Sequence, residues 1–365
     1  MLIKQPPLKI AMTFERQSAC MAQGYSYEDC SRLADASIDS ISETLRKLGH
    51  EVDMVGDIQV LVKRLAQSPS PGWDLVFNIS KGWQACSAGH ESRVPALLEA
   101  FAINFTFSDS ATIAKVHDKA LAKIVLGYHG IRTAPYAIVK SLDSSPLLVD
   151  PTPAQSAISA SPHSKALAQF PLFVKPTGEG SSKGISKASK VTSASDLEPV
   201  VRSLRARFPE QDILIESFLS GNDMTISILG TGSEARVIGV REWKYGGHAR
   251  DTDEDFQSFE RKMTSRDLWP YHCDTATDLS EPLTAKACET ALAAYGALGC
   301  RDLGRVDIRF DRQGPDGQPS VIEINPIPGL TEGYSPLPVT AKVNGIDYDQ
   351  LISLVIDSAM QRAKT

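Results

Sequence analysis

The sequence predicts an α/β chain with an N-terminal, Rossmann-like parallel sheet and a C-terminal half that turns to α+β. Three observations predict it. Strands alternate with helical spacing up to about Ser110, buried strands follow at Pro171 to Pro176 and Ile213 to Glu216, and a folded-back strand pair runs from Arg305 to Asn325. Strands alternating with helices imply a parallel sheet covered on both faces. At 365 residues the chain is long for one domain of roughly 100 to 200 residues, so three units are expected: 1–112, 113–210 and 211–365.

In order, Leu8 to Phe14 reads as a buried first strand, and Ile38, Ile41, Leu45 and Leu48 recur at helical spacing until Gly49 ends the run. Glu51 to Val55, Trp73 to Ile79 and Asn104 to Phe107 read as further strands, with a helix opening near Val94. No G-x-G-x-x-G follows the first strand, so the dinucleotide fingerprint is missing. Ser110 to Gly130 reads as one helix carrying Lys119 and Lys123, and Tyr136 to Val139 as a strand. The segment from Ser141 to Gln169 is rich in Ser, Pro and Ala and reads as a mobile surface excursion without chemistry. Pro282 to Leu298 and Asp349 to Ala363 read as helices.

Composition is that of a soluble globular protein. A net charge of −6 with no basic patch interleaved with aromatics argues against nucleic acid as a partner. No apolar run approaches the roughly 20 residues that span a bilayer, and the N-terminus lacks a signal-peptide core, so no membrane partner and a cytoplasmic location are expected. The six cysteines form no C-x-x-C pair, which favours free structural thiols over a disulfide framework or a zinc site.

The strand pair from Arg305 to Asn325 carries the densest chemistry. Side chains alternate along a strand, so Arg305, Asp307 and Arg309 share one face while Val306, Ile308 and Phe310 take the other. In the return strand Glu323 and Asn325 share a face, with Ile322 and Ile324 opposite. Paired strands bring facing side chains within roughly 5 Å, where like charges repel, so Asp307 and Glu323 require a cation between them. Hard oxygen ligands without His or Cys suit Mg²⁺. A half-solvated hairpin with a charged outer face reads equally well from these residues alone.

Thr177 to Gly184 is a glycine-bearing loop after an apolar strand, able to lay N–H groups on phosphate oxygens although it is not a Walker A loop. Lys175 ends that apolar strand and needs an anionic partner. Ser217 to Gly221 bends between two strands, where an adenine can lie flat, with Glu216 and Asp223 flanking the bend or serving simply as strand-end carboxylates. Arg241 to His272 is polar and charge-rich, suited either to a loop that closes over ligands or to an exposed excursion.

The order Asp118-Lys119, Val174-Lys175-Pro176, Gly178 to Ser182, Leu214 to Glu216, Gly304 to Asp307, Ile322 to Asn325 and Pro328-Gly329 resembles the D-alanine–D-alanine ligases of the ATP-grasp superfamily. The resemblance implies an ATP-grasp fold, ATP and two Mg²⁺ ions with Mn²⁺ as a substitute, amino-acid substrates and a homodimer. It implies that Lys119 and Lys175 contact the nucleotide phosphates, with Ser181 and Ser182 in the loop that covers them. Glu216, Ser217, Leu219 and Asp223 would hold adenine and ribose, and Asp307, Glu323 and Asn325 the metal ions. Lys244 and Tyr245 would belong to the closing loop, and Arg305 with the N–H of Gly329 would stabilise a tetrahedral oxyanion. Such enzymes activate a carboxylate as an acyl phosphate that an amine then displaces, a route that needs positioning and charge neutralisation but no side-chain nucleophile.

Two departures stand out. Where the family has a Gly-Gly-x-Ser-x-Glu loop, this chain has Met12 to Ser18, leaving Glu15 as the candidate anchor for a substrate ammonium. Where the family often has Thr-Ser-x-Ser, this chain has Thr331 to Ser335 with Glu332 inside, a charge expected to repel an acceptor carboxylate and to favour an acceptor other than D-alanine.

Overall fold

The computed structural model describes residues 6–30, 35–82, 89–141, 152–245, 255–264, 271–274 and 277–363. The first third runs β1 (Lys9–Thr13), α1 (Gln17–Ala22), α2 (Tyr27–Cys30), α3 (Asp35–Lys47), β2 (Glu51–Gly56), α4 (Ile58–Gln67), β3 (Leu75–Asn78) and α5 (Arg93–Ala100). The three strands form a parallel sheet in the order β2-β1-β3. Alternation along β1 sends Ile10 and Met12 into one core with Ile38, Ile41 and Leu45 of α3, and Ala11 into another with Leu61, Leu65, Val94 and Leu98. Both faces are thus covered, as the alternation of strands and helices predicts. The strand expected at Asn104 to Phe107 is reduced to one bridge between Val76 and Phe105.

The single helix expected from Ser110 to Gly130 is two, α6 (Ser110–His117) and α7 (Lys119–Tyr128). Asp118 breaks it: its backbone is extended and its side chain accepts from the N–H groups of Ala120 and Leu121, so it caps α7 instead of continuing α6. Lys119 thereby becomes the first residue of α7, with Lys123 one turn later on the same buried face.

Next come β4 (Tyr136–Val139), α8 (Pro153–Ala160), α9 (Ser164–Leu167), β5 (Leu172–Pro176), β6 (Lys190–Val191), α10 (Ala194–Arg207) and β7 (Ile213–Ser217), with the sheet order β4-β7-β5-β6. The expected surface excursion at Ser141 to Gln169 is corrected by α8 and α9. Ala154, Ile158 and Leu167 are buried against Ala137, Val139, Leu172 and Ile215, because two short helices need few apolar residues to cover a small sheet; positions 142–151 lie outside the described residues. The strand expected from Ile185 is only β6, preceded by a helical turn at Lys187–Ser189.

The last part comprises β8 (Asp223–Leu229), β9 (Arg236–Lys244), α11 (Phe259–Thr264), β10 (Tyr271–Asp274), α12 (Pro282–Leu298), β11 (Leu303–Phe310), β12 (Pro319–Asn325), α13 (Pro336–Val343) and α14 (Tyr348–Arg362). Its antiparallel sheet, β10-β9-β8-β11-β12, is backed by α12 through Ala287, Ala291, Tyr295 and Leu298. Trp243 and Lys244 end strand β9; positions 246–254 and 265–270 lie outside the described residues. α14 returns to the first sheet, where Leu351, Ile352, Val355 and Ile356 pack in the same core as Ile10 and Ile41.

Cys20 and Cys30 form a disulfide, which corrects the expectation of free thiols: α1 and α2 fold together and bury both residues. Cys288 and Cys300 are buried free thiols, and Cys86 lies outside the described residues. Among the described residues, no helix is long and apolar enough to cross a membrane.

Candidate active site

The β11–β12 hairpin pairs Asp307 with Glu323 and Arg305 with Asn325. A register shift after Asp307 skips Ile322, so the apolar side of β12 is built by Val321 and Ile324 rather than by Ile322 and Ile324. On the polar side Arg305 grips Asp307 in a fork, Nε to Oδ1 at 3.0 Å and Nη2 to Oδ2 at 2.9 Å. Thr225 Oγ1 donates to Asp307 Oδ1 at 2.8 Å and is itself held by Trp243 Nε1 at 2.8 Å. Asn325 Nδ2 lies 3.4 Å from Asp307 Oδ2. Glu323 meets Lys119 Nζ at 3.2 Å. Burial would raise the Glu323 carboxyl, but Lys119, Lys175 and Arg305 outweigh it and hold it below the usual carboxylate range. The two facing carboxylates thus each meet a cation, Asp307 that of Arg305 and Glu323 that of Lys119.

Above the hairpin lies a buried triad of charges. Glu216 on β7 meets Lys123 and Lys175, each at 2.6 Å. Burial alone would raise the Glu216 carboxyl; the two lysines overcome it and hold it at about 2. Lys175 thus has its anionic partner inside the protein, and the Glu216 side chain is engaged by lysines. Ser217 Oγ, the next residue, is buried with no hydrogen-bond partner among the described residues, a polar atom left for a ligand.

Lys119 also binds the glycine loop, its N–H donating to the Thr177 carbonyl at 3.1 Å and its Nζ to that of Glu179 at 2.5 Å. Within the loop Ser181 and Ser182 adopt left-handed backbone at φ +52° and +61°. Gly184, at φ +81°, has no room for a Cβ, which would stand 2.9 Å from Phe208 and Pro176.

At the bend between the two antiparallel sheets, Leu219 is buried and Asp223 accepts from Tyr245 Oη at 2.8 Å. Arg309 Nη1 lies 3.9 Å from the same carboxylate, whose pKa is raised by burial. Tyr245 and Asp223 therefore meet each other. Lys244 stands apart, 3.3 Å from Glu242 with half of its side chain exposed.

Segment 255–264 packs back over this region: the Phe256 ring meets that of Phe173 at 5.0 Å, Asp255 pairs with Lys190 at 2.7 Å, and the Phe259 N–H donates to the Ile185 carbonyl at 3.0 Å. It brings in Lys262, which sequence reasoning missed. Burial and the charge of Arg305 pull its ammonium down to about 8 against the opposite pull of Glu323 and Asp307. No local pattern separates Lys262 from other charged residues of its polar segment.

Glu15 leaves the end of β1 buried, its carboxylate accepting from Ser80 Oγ and from the N–H groups of Lys81 at 2.7 Å and Gly82 at 3.2 Å. Burial raises its pKa. Lys81 was also missed; its Nζ donates to the Ile327 carbonyl at 2.7 Å, two residues before Gly329, which is exposed. Glu332 is exposed, and its charge acts on Lys47 and Tyr348, the α3 and α14 side of its loop.

The donor set on the hairpin, two carboxylates and one amide oxygen, fits a hard divalent cation whose remaining ligands are phosphate oxygens and water. Among the described residues no group of three or more His, Cys, Asp or Glu could hold a metal alone. Residues 129–357 match the family model described as D-ala D-ala ligase C-terminus. The chain is similar to a D-alanine–D-alanine ligase of Bordetella petrii, 30% identical with 81% of this chain and 79% of that one covered. A D-alanine–D-alanine ligase of Polaromonas is 32% identical over 72% of this chain and 69% of its own length. Among solved structures, the fold is similar to D-alanine–D-alanine ligase from Bacillus anthracis complexed with ATP, at TM-score 0.68 and 20% identity over 99% of both chains. VanG D-Ala:D-Ser ligase from Enterococcus faecalis also has TM-score 0.68, at 20% identity over 97% of this chain and all of that one.

Proposed function

The chain belongs to the D-alanine–D-alanine ligase family, and from that premise we propose that it is an ATP-dependent, ADP-forming ligase that joins two D-alanines through an acyl phosphate. The observation that carries this reading is the convergence of Asp307, Glu323 and Arg305 on one hairpin face with Lys119, beneath the buried Lys175 and beside the glycine loop. Lys119, Lys175, Ser181 and Ser182 would hold the triphosphate. Ser217, with its unpartnered hydroxyl, Leu219 and Asp223 line the bend where adenine and ribose would lie. Glu216 contributes by fixing Lys175 and Lys123. Lys262, influenced by the charges of Arg305, Glu323 and Asp307, would face the phosphates from the covering segment, beside Lys244 at the end of β9.

Asp307, Glu323 and Asn325 would hold two Mg²⁺, or Mn²⁺ in their place, whose chemistry is to neutralise phosphate charge. In the first step a donor carboxylate oxygen attacks the γ-phosphorus of ATP and ADP leaves. In the second the acceptor amine attacks the acyl carbon, the phosphate departs with its bonding electrons, and the amine loses a proton to give the amide. The oxyanion formed on the way would be met by Arg305 and the N–H of Gly329, where loss of one donor costs about 3 kcal/mol or more.

The test is an ADP-release screen of D- and L-amino acids, singly and in pairs, with product masses recorded. Robust turnover of D-alanine alone to its dipeptide is expected. A phosphorylated small molecule with no amide product would replace the ligase by a phosphotransferase.

A further inference from the structure

Three neighbouring residues after β3 act on two different parts of the fold. Ser80 Oγ and the N–H groups of Lys81 and Gly82 all donate to the buried Glu15, so this turn is fixed against the end of β1. Gly82, at φ +60°, is packed so closely that a Cβ would stand 2.5 Å from the His90 carbonyl oxygen. From that turn the Lys81 ammonium reaches out of the N-terminal domain to the Ile327 carbonyl, 2.7 Å away and 246 positions further along the chain. Glu91 Oε2, 3.6 Å from the same Nζ, keeps the ammonium in place from behind.

Ile327 lies between Pro326 and Pro328, in the strap that links β12 to Gly329. Prolines have no N–H and a fixed φ, so this strap is stiff and has few donors of its own. A charged donor on its one central carbonyl therefore sets where the strap points. The next N–H along the strap is that of Gly329.

We propose that Lys81 is a positioning residue: by clamping the Ile327 carbonyl to the fixed turn at Ser80–Gly82, it aims the Gly329 N–H at the reacting acyl carbon's oxygen. This rests on the ligase reading above. Lys81 touches no reacting atom; it couples the seating of the N-terminal sheet to the oxyanion site.

The test compares the parent, Lys81→Met and Lys81→Arg. Lys81→Met keeps the apolar stem and removes the donor; misplacing a catalytic group by about 1 Å costs on the order of 100-fold in rate. Dipeptide formation in Lys81→Met is expected to fall by that order with the KM for ATP within about threefold and the protein still folded by circular dichroism, and Lys81→Arg is expected to recover most of the loss. A phosphinate analogue of the tetrahedral intermediate should lose affinity by a factor similar to the loss in kcat/KM, a change that a merely structural role would not produce. Hydrogen–deuterium exchange of a peptide covering 326–330, whose amide signal comes only from Ile327, Gly329 and Leu330, should speed up by about tenfold or more in Lys81→Met. Unchanged exchange there, or a phosphinate affinity equal to the parent's, overturns the proposal even if the enzyme ligates. If the parent makes no amide with any amino acid, the ligase reading and the aim at an oxyanion both fall, and faster exchange would leave only a structural clamp.

Discussion

Asp307 and Glu323 stand directly opposite on paired strands, an arrangement that costs energy unless cations neutralise it. Arg305 on Asp307 and Lys119 on Glu323 supply that neutralisation, so removing one negative charge strands a cation as well as removing a metal ligand. Asp307→Asn and Glu323→Gln are expected to abolish ADP release with the fold intact, checked by steady-state ADP assay beside near-ultraviolet circular dichroism; activity within a few-fold of the parent would contradict the metal assignment. Glu216 has no metal to hold, and its charge is what two buried lysines need. Glu216→Gln should destabilise the protein by about 3–5 kcal/mol, the cost of breaking a buried charge pair. Its pH signature has a definite sign. The folded carboxyl sits at about 2, below the ordinary 4.5, so its contribution is complete above about pH 5 and is lost as pH falls towards 2. Between those limits the parent should lose roughly 3 kcal/mol of unfolding free energy from this group, and the Glu216→Gln variant should show a shallower slope. Equal slopes in urea titrations of the two would assign the acid loss to other carboxylates. The hairpin carboxylates were legible in the sequence because strand alternation alone places them. Lys81 was not, since its partner lies far along the chain and is a backbone carbonyl that any residue could supply.

Elements differ in how openly the sequence declares them. α12 and α14 announce themselves by apolar residues at helical spacing, and their observed buried faces are the ones that spacing selects. The break at Asp118 is subtler: an acidic residue amid a helical run is ordinary, and only its capping of Ala120 and Leu121 turns one helix into two. Segment 153–167 hid for a physical reason. Ser, Pro and Ala dominate it, yet Ala154 and Ile158, four residues apart, put one small apolar stripe against β4, and Leu167 of α9 adds to it. Ile158→Ala is accordingly expected to cost about 2–5 kcal/mol, as a large-to-small change in a core. Deleting the whole segment should unseat the β4-β7-β5-β6 sheet and with it Lys175, so ATP turnover should collapse. Unfolding midpoints in urea and ADP release of the two variants check this; a deletion variant with parental turnover would return the segment to the surface excursion its composition suggests.

On the scale of the molecule, one buried carboxylate ties the distant parts of the chain together. Asp302, fully buried, accepts from the Phe107 N–H at 2.7 Å, Thr231 Oγ1 at 3.1 Å, Ser358 Oγ at 2.9 Å and Arg362 Nη2 at 2.7 Å. These partners come from the edge of the N-terminal sheet, the loop after β8 and α14. Arg362 Nη2 donates in addition to the Phe105 carbonyl at 2.9 Å. The carboxylate belongs to the residue just before the strand that carries Arg305 and Asp307, so the seating of the N-terminal sheet and the position of the hairpin share a fixed point. Sequence reading could place α14 as a helix, but not its return to the first sheet, because a helix's apolar stripe does not say which core it joins. Replacing Arg362 by Met keeps that stripe and leaves Asp302 buried without its cation. The expected cost is about 3–5 kcal/mol, close to what a whole domain has to spare. If the fixed point joins both halves, the urea midpoints of tryptophan fluorescence and of ADP turnover should fall together in Arg362→Met. A fall in one with the other unmoved would mean that the two halves unfold independently and that Asp302 serves only its own neighbourhood.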